Sequence, residues 1–261
     1  MKSHQKLGQM TTKYLIFSLS KFKSMLKVVF ETSLYYISLG TLIFSLGWSV
    51  QAATSFTIDG AQTFQTIDGF GVNANSLSWD NGELKPAIGM LADQMGSSLW
   101  RVVFDMEDWE SVNDNSDPAV FNWTYYNSVY GNSKFQNLWG TLGYLNQKGI
   151  NSGITLSFMG RVPNWMSSSD NGNNIATNYE DEWVEMITSL VSYARNTAHD
   201  SFSMLDPINE PDWNGYEGPQ VGSVQYTRLL NKLSQKLNSL GLSDIKFLGP
   251  NTASIDTGVY T

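Results

Sequence analysis

The tripeptide Asn209-Glu210-Pro211 places an amide and a carboxylate directly after a short apolar segment. Proline cannot donate a hydrogen bond to a neighbouring strand, so a strand is predicted to end at Pro211. Proline also restricts the residue before it, which predicts extended backbone at Glu210 and a fixed direction for its carboxylate. Such a carboxylate suits general acid–base catalysis, and the Asn209 amide can donate to one hydroxyl group and accept from another. In an isolated surface turn the same tripeptide would carry no chemistry, so its meaning depends on the surrounding fold.

Arg101 is a charged residue inside an apolar run, residues 99–104, that is typical of a buried strand. A buried guanidinium needs a carboxylate partner, because an unpaired buried charge is costly. Two alternatives remain open, a structural ion pair with Asp105 or Asp68 and a contact that holds an active-site carboxylate. Four further residues at the predicted strand ends are candidates for substrate binding: Asn73, Asp105, Trp165 and Trp213.

Tryptophan is abundant, with nine in the chain and eight after residue 52. A flat apolar face with a polar edge suits a sugar ring. The tryptophans in predicted loops therefore favour carbohydrate binding: Trp79, Trp109, Trp123, Trp165 and Trp213. Those in predicted strands or helices are expected in the core: Trp100, Trp139 and Trp183.

Several other chemistries find little support in the composition. The chain has no cysteine and only two histidines, of which His199 is the only one after residue 52, so a zinc site is not expected. A lone histidine and the lack of a Gly-x-Ser-x-Gly motif argue against a Ser-His-Asp hydrolase. There is no phosphate-binding P-loop motif either. We therefore predict no metal ion and no cofactor.

Strand and helix patterns alternate along the chain from about residue 55 onward. Apolar, non-alternating runs predict buried parallel strands, and helical apolar spacing predicts the segments between them. The predicted strands lie within residues 55–75 (two short strands, the second ending near Gly71), 97–106, 151–160, 201–209 and 244–251. The predicted helices lie within residues 82–96, 133–149, 179–198 and 221–241. Polar loops are predicted over 107–133 and 167–178, and they are the segments expected to select the substrate.

This order predicts an α/β fold, and a partial (β/α)₈ barrel of about five βα units fits it best. The alternative is an open doubly wound sheet that binds a small ligand. That fold would place a Gly-rich phosphate turn after its first strand, and the segment GFGVNAN (69–75) lacks the third glycine.

The first 52 residues resemble a secretory signal peptide, with six basic residues, an apolar stretch and a Val50-Gln51-Ala52 ending. Cleavage is expected after Ala52, and Met25 is an alternative start. An uncleaved membrane anchor is the competing interpretation. Of the 16 basic and 24 acidic residues, six and one precede residue 53, so residues 53–261 carry a formal charge of −13. That charge disfavours nucleic acid and anionic membranes as partners, and we expect a secreted protein.

Four segments in this order resemble retaining glycoside hydrolases of the (β/α)₈ clan with catalytic glutamates on strands four and seven: TIDGFGVNAN, SSLWRVVFDMEDW, ITLSFMGRVPNWM and LDPINEPDWNG. The Gly-Phe-Gly opening and the Pro-x-Trp-Met of the third segment are most similar to glycoside hydrolase family 30. Family 5 endoglucanases are the next nearest. The resemblance covers about residues 64–251 and places a short N-terminal β element at residues 55–65.

The resemblance implies a secreted enzyme that hydrolyses β-linked polysaccharide with retention, Glu210 being the general acid/base. It implies that Asn209 contacts a sugar hydroxyl, that Arg101 holds the nucleophile ionised and that Trp165 lines the sugar site. The family's nucleophile is a glutamate that follows strand seven. Because the pattern of this chain has only five predicted βα units, the chain is expected to lack that glutamate. Residues 53–261 are therefore expected to be the N-terminal portion of the catalytic barrel, with little activity alone. A non-catalytic carbohydrate-binding remnant remains the alternative.

Overall fold

The computed structural model describes residues 25–29, 31–32, 56–57, 59–106, 109–168 and 173–254. The chain divides into two units, Met1–Phe64 and Gln65–Thr261. In the first unit, residues 25–29 and 31–32 are helical, and a turn is closed by the Gln62 amide donating to the Asp59 carbonyl at 3.1 Å. Most of the predicted signal peptide and its cleavage site lie outside the described residues. Within the described segments, no helix combines the length and apolar character that a bilayer crossing requires.

The second unit is built on a parallel sheet of five strands, in the order β1-β2-β3-β4-β5. The strands are β1 (Phe70–Asn75), β2 (Ser97–Asp105), β3 (Ile154–Met159), β4 (Met204–Asp206) and β5 (Lys246–Phe247). Spatial order follows chain order, as successive βα units require when each new strand is added beside the previous one. The predicted α/β fold with five βα units is confirmed.

Helices connect the strands: α1 (Lys85–Gly89), α2 (Trp123–Tyr130), α3 (Ser133–Gln147), α4 (Glu180–Tyr193) and α5 (Ser223–Ser239). A π-helical turn extends α1 over Met90–Gln94 and another extends α4 over Ala194–Ala198, while 3₁₀ turns cover Ser76–Gly82, Asn164–Met166 and Thr177–Tyr179. The Asn132 side chain caps α3 by accepting from the Phe135 amide at 3.1 Å. The chain leaves α5 at Gly241, whose φ of +75° is a conformation that glycine adopts without strain.

One face of the sheet is buried and the other is partly open. In β2, Trp100, Val102 and Phe104 point into the core, whereas Leu99 and Arg101 alternate with them and stay partly exposed. The core is rich in aromatic rings and includes Trp109, which is 1% exposed and lies 5.1 Å from Phe158 between ring centroids. Trp79 is also buried, against the backbone of Gly140. The predicted sugar-binding role of Trp79 and Trp109 is therefore wrong, because neither ring presents a free face.

Three predicted boundaries need correction. The described residues between 56 and 69 form a turn and irregular chain, so the N-terminal β element expected at 55–65 is not seen there. The segment predicted as a loop over 107–133 contains α2, since the tyrosine-rich stretch from Trp123 packs on the aromatic core. β4 ends at Asp206, before Asn209 and Glu210, so those two residues lie in the loop beyond the strand.

The open face of the sheet holds a shallow cleft of about 360 Å³. Its lining includes Asn73, Arg101 and Thr155 together with Leu99 and Leu248, which are 38% and 45% exposed. Within the described part of the chain, β1 pairs only with β2 and β5 only with β4. An apolar sheet face with two unpaired edges is a surface that other strands and side chains normally cover.

Candidate active site

Asp206 is a fully buried carboxylate at the end of β4 and the centre of a hydrogen-bond network. One oxygen, Oδ2, accepts from Ser157 Oγ at 2.6 Å, from Asn251 Nδ2 at 2.9 Å and from Arg101 Nη2 at 3.2 Å. Ser157 stands opposite Asp206 in the β3–β4 register, so the two side chains share one face of the sheet. Burial raises the pKa of Asp206, and the three donors and the Arg101 charge oppose that rise.

Arg101 reaches Asp206 from β2, with β3 lying between the two strands. Its register partner on β3 is Thr155, and the guanidinium extends past that strand to Asp206. The sequence alternatives for an ion pair were Asp105 and Asp68, and the observed carboxylate is a third one. Neighbouring strands of a parallel sheet end at the same edge of the sheet. A carboxylate two strands away can therefore lie nearer to the Arg101 guanidinium than a carboxylate on its own strand.

Asn209 joins the same network through its side-chain amide. Its Oδ1 accepts from Arg101 Nη2 at 2.8 Å and from Asn251 Nδ2 at 2.7 Å, and its Nδ2 donates to the Glu217 carbonyl at 3.3 Å. Because an amide oxygen has two lone pairs, both acceptor positions of Asn209 are occupied. One N–H remains, so Asn209 is poised to donate to a ligand and not to accept from it.

Glu210 adopts a left-handed backbone with φ of +46°, which is uncommon for a residue with a side chain. The extended geometry predicted from Pro211 is therefore wrong. Two hydrogen bonds override the local preference, since the Glu210 amide donates to the Asn251 carbonyl at 3.1 Å and its carbonyl accepts from the Trp213 amide at 3.0 Å. Strained backbone of this kind persists only where the surroundings fix it, and it occurs preferentially at functional sites.

The Glu210 carboxyl has a raised pKa. The largest cause is burial, followed by the negative charges of Glu217 and Asp212, and the Arg101 charge acts in the opposite direction. One oxygen, Oε2, is buried without a hydrogen-bond partner in the described part of the chain. A carboxyl group with a raised pKa and an oxygen that has no hydrogen-bond partner among the described residues has the properties of a proton donor.

The loop after β4 is fastened to its neighbours on both sides. The Gly160 amide donates to the Glu217 carbonyl at 3.0 Å, and Gly218 lies so close to the Asn209 carbonyl that a Cβ there would overlap it. On the other side, Asp212 accepts from the backbone amides of residues 253 and 254 at 2.8 and 3.2 Å. These contacts hold Asn209 and Glu210 between the loops that follow β3 and β5.

Three other predicted site residues, Asn73, Asp105 and Trp213, lie on β1, on β2 and in the loop after β4. Asn73 is the register partner of Arg101 and lines the same cleft, and the Asp105 carboxylate lies at the end of β2 against Gly160. Trp213, 50% exposed, lies beside Glu210 with its ring folded over Gly215.

Trp165 is half-buried and lies in the 3₁₀ turn Asn164–Met166, which follows β3. Its Nε1 donates to the Glu110 carbonyl at 2.8 Å and its ring packs edge-on against Tyr179 at 5.4 Å between centroids. The described contacts thus connect Trp165 to the loop before α2, and not directly to Glu210.

Sequence reasoning missed Asp206 and Ser157. The signal for Asp206 was present, because an acid inside the apolar segment SFSMLDPIN matches the arginine inside the apolar run of β2. Opposite charges in two strand interiors predict a pair, since each needs the other when buried. Ser157 gave no such signal, because small polar residues are common in strands. Among the described residues there is no group of three or more potential metal ligands that would fit a metal ion.

No protein-family model matches the chain, and no curated protein matches its sequence. Among solved structures, it is similar to the glycoside hydrolase family 30 subfamily 8 xylanase Xyn30A from Clostridium acetobutylicum, with a TM-score of 0.53 and 16% identity over 74% of this chain and 44% of that one. It is also similar to the endo-β-1,6-glucanase BT3312, with a TM-score of 0.53 and 17% identity over 75% and 46% of the two chains. SrfJ from Salmonella typhimurium gives a TM-score of 0.50 and 16% identity over 70% and 43%.

The chain spans less than half the length of these three structures. At such low sequence identity, the structural similarity is evidence for the fold but not for the reaction that the chain catalyses. The fold predicted from the sequence is confirmed at that level: the chain folds as part of a (β/α)₈ barrel similar to those of these three structures.

Proposed function

We propose that this chain is part of a secreted glycoside hydrolase that cleaves β-linked polysaccharide, with Glu210 as the general acid/base. The observation that carries the proposal is the Glu210 carboxyl itself. Its pKa is raised, its backbone is strained, and it directly follows an asparagine that a buried Arg-Asp pair holds in place. A proton donor for a glycosidic oxygen needs this combination of proton affinity and fixed position.

The proposed reaction proceeds with retention, in two displacements. In the first, Glu210 gives its proton to the glycosidic oxygen while a second carboxylate, about 5–5.5 Å away, attacks the anomeric carbon and forms a glycosyl-enzyme. In the second, the Glu210 carboxylate takes a proton from water, which attacks the anomeric carbon and releases the second carboxylate. The Asn209 N–H that remains unpaired is placed to donate to a hydroxyl of the bound sugar.

The second carboxylate is proposed to come from sequence beyond Thr261. Asp212 is engaged with two backbone amides, and Asp244 pairs with Arg195 at 2.9 Å. Glu217 lies on the same loop as Glu210, and its negative charge already serves to raise the Glu210 pKa. The uncovered sheet face, its two free edges and the coverage of less than half of the similar structures all support a longer barrel of which this chain is one part.

Substrate contacts are proposed for Asn73, Asp105, Trp165 and Trp213, which lie on β1, on β2 and in the loops that follow β3 and β4. Of the two tryptophans, Trp213 is the more exposed, which suits stacking on a sugar. Export is proposed from the charge and apolar pattern of residues 1–52. A second candidate function, carbohydrate binding without catalysis, is favoured by one observation: of the acids that follow Glu210 in the described chain, Asp212 and Asp244 are engaged in other contacts.

The decisive experiment compares hydrolysis by residues 53–261 with hydrolysis by a protein that continues through the sequence encoded after Thr261. Reducing-sugar release from xylan and β-glucans is expected only from the longer protein. In it, Glu210→Gln should lower kcat/KM on polysaccharide by about 10²–10⁴, the usual contribution of general acid catalysis. The loss should be much smaller on an aryl glycoside with a good leaving group, which needs little protonation.

Glu217→Gln is the matched control, because it makes the same chemical change on the same loop. It should retain most of the activity while lowering the Glu210 pKa, since it removes a nearby negative charge. Equal losses on both substrates for Glu210→Gln would remove Glu210 from its acid/base role. Rapid turnover by residues 53–261 alone would show that the nucleophile lies within this chain.

A further inference from the structure

A second group of carboxyls lies apart from the Asp206 network, between the loop that precedes α2 and the helix α4. Glu110 and Asp114 belong to the loop, and Glu182 and Glu185 belong to α4. Glu110 and Glu185 have no exposed surface, and Glu182 is 8% exposed. Four acidic side chains therefore meet in a space from which water is largely excluded. We call these four residues the carboxyl cluster.

Hydrogen-bond donors in the carboxyl cluster are few. Glu110 accepts from the Tyr126 hydroxyl at 3.2 Å and from the Asp114 amide at 3.4 Å, and Glu182 accepts from Asn113 Nδ2 at 3.3 Å. Both oxygens of Glu185 are buried and accept from no N–H or hydroxyl donor in the described structure, and the same holds for one oxygen of Glu182 and one of Asp114. The polar contact of Glu185 is with the carboxyl group of Glu182. A buried carboxylate without donors is strongly destabilised, so these oxygens imply that protons occupy part of the cluster.

Among the described residues, the titratable groups whose charges act on the cluster are acids or phenols. They are Asp181 on α4, Tyr125, Tyr126 and Tyr130 on α2, and the cluster members themselves. The nearest lysines of α5 are occupied elsewhere, since Lys232 pairs with Asp181 at 2.9 Å and Lys236 donates to the Ala119 carbonyl at 2.9 Å. Neutrality inside the cluster therefore depends on protons and not on an opposing cation.

The proton affinities agree with this geometry. Burial, followed by the charge of Asp114, raises the pKa of Glu110 to about 8 and that of Glu185 to about 9, and burial also raises the pKa of Glu182. A carboxyl whose pKa is higher in the folded protein than in the unfolded chain favours folding in acid. Its contribution falls as pH rises above the ordinary value of 4.5, and the loss is complete above the folded pKa, here about 8 to 9.

The carboxyl cluster is linked by a hydrogen bond to Trp165, for which a substrate contact is proposed above. The carbonyl of Glu110 accepts the indole N–H of Trp165 at 2.8 Å, and Trp165 lies in the turn that follows β3. The loop is further held by Asp114, whose Oδ2 accepts from the Asn122 amide at 3.2 Å and whose carbonyl accepts from Asn122 Nδ2 at 3.0 Å. Movement of the loop therefore removes the hydrogen bond that orients Trp165.

We propose that the carboxyl cluster is a proton-dependent latch that holds residues 109–122 against α4 and thereby regulates the carbohydrate site. With its protons in place, Glu185 and Glu110 pack as neutral groups and the loop is closed. When base removes those protons, mutual repulsion and the need for hydration drive the loop away from α4 and release Trp165. The regulation of carbohydrate binding rests on the proposed function, whereas the movement of the loop does not.

The test of the latch uses the whole chain and the variant Glu185→Gln, which keeps the shape of the side chain but cannot ionise. Glu83→Gln is the matched control, because Glu83 is exposed and outside the cluster. Pulsed hydrogen exchange of residues 109–122 is measured at about pH 5 and about pH 9.5, with correction for the intrinsic pH dependence. Protection in the wild type and in Glu83→Gln should fall at least about tenfold between the two pH values, and in Glu185→Gln it should fall much less.

Three results would overturn the latch: an equal fall in protection for Glu185→Gln and the control, an unchanged protection in the wild type, and a lack of protection already at pH 5. Glu110→Gln provides a second variant with the same expected effect, and it keeps the Tyr126 contact. If Glu185→Gln fails to fold, the comparison of Glu110→Gln with the control still decides the test.

Binding of β-linked tetrasaccharides of xylose and of glucose separates the latch from the proposed function. Wild-type affinity should fall at about pH 9.5, and Glu185→Gln should reduce that fall. Absence of binding at both pH values, together with pH-dependent exchange, would refute the carbohydrate function and leave the latch standing. Binding that is equally strong at both pH values, with pH-dependent exchange, would refute the regulation of the site.

Discussion

Replacing Arg101 by methionine should destabilise the chain strongly and in a pH-dependent way. The substitution keeps the apolar stem of the side chain and leaves Asp206, which is fully buried, without its cation. Removing one partner of a buried ion pair typically costs about 3–5 kcal/mol. Two features reduce that cost here, since the Arg101 side chain is 26% exposed and Asp206 keeps its bonds from Ser157 and Asn251. We expect a loss of about 3 kcal/mol near pH 7.5, a large share of the typical 5–15 kcal/mol of a domain.

The pH dependence follows from the proton affinity of Asp206. Burial already raises its pKa, and loss of the Arg101 charge raises it further. When the pKa of a carboxyl group is higher in the folded protein than in the unfolded chain, the folded protein keeps a proton that the unfolded chain has already released. Lowering the pH therefore stabilises the folded protein relative to the unfolded chain. The deficit of Arg101→Met should therefore shrink as pH falls and be clearly smaller at about pH 4.5 than at about pH 7.5.

Urea unfolding followed by tryptophan fluorescence at the two pH values measures both effects. Lys148→Met is the control, because it breaks an ion pair with Asp93 that is open to water, and it should have a much smaller effect. The double variant Arg101→Met/Asp206→Leu removes both charges and should recover part of the loss. A deficit below about 1 kcal/mol at pH 7.5, or one that is independent of pH, would show that water screens the pair and that it does not organise the site.

Two further predictions concern the support of the site and the outer helices. Gly218→Ala should lower the free energy of unfolding by about 1–3 kcal/mol and weaken oligosaccharide binding, because its Cβ would overlap the Asn209 carbonyl, whereas Gly222→Ser, in open space at the start of α5, should do neither. Equal melting temperatures for the two variants would contradict the close approach at Gly218. Arg228→Met should lower the melting temperature more near pH 7 than near pH 3. Hydrogen bonds from Arg228, together with Lys232, lower the pKa of the buried Glu180, so the stability that they supply decreases as pH falls towards and through that lowered pKa. A loss of the same size at both pH values would contradict it.

The order and type of the main elements were predictable from local patterns. Apolar runs such as the one in β2 and glycine stops such as Gly241 depend on neighbours in the chain, and the structure follows them closely. The short elements were less predictable, because the tyrosine-rich helix α2 is stabilised by its packing on rings of other elements, such as Phe135 in α3 and Tyr193 in α4. Burial of Trp79 and Trp109 was missed for the same reason, since a loop tryptophan gives no local sign of which face of it is covered.

The sequence by itself determined the chemistry available to this protein. Asn209 and Glu210 after an apolar segment, Arg101 inside an apolar run and the lack of cysteine favour chemistry by carboxyl, amide and guanidinium groups. Only the tertiary structure decided which groups meet. Arg101 pairs with Asp206 and not with Asp105, because parallel strands bring their ends to one rim and the distance across two strands is short. Likewise, the left-handed backbone of Glu210 opposes its proline neighbour because the hydrogen bond from its amide to the carbonyl of Asn251, 41 residues later, helps to outweigh a local preference.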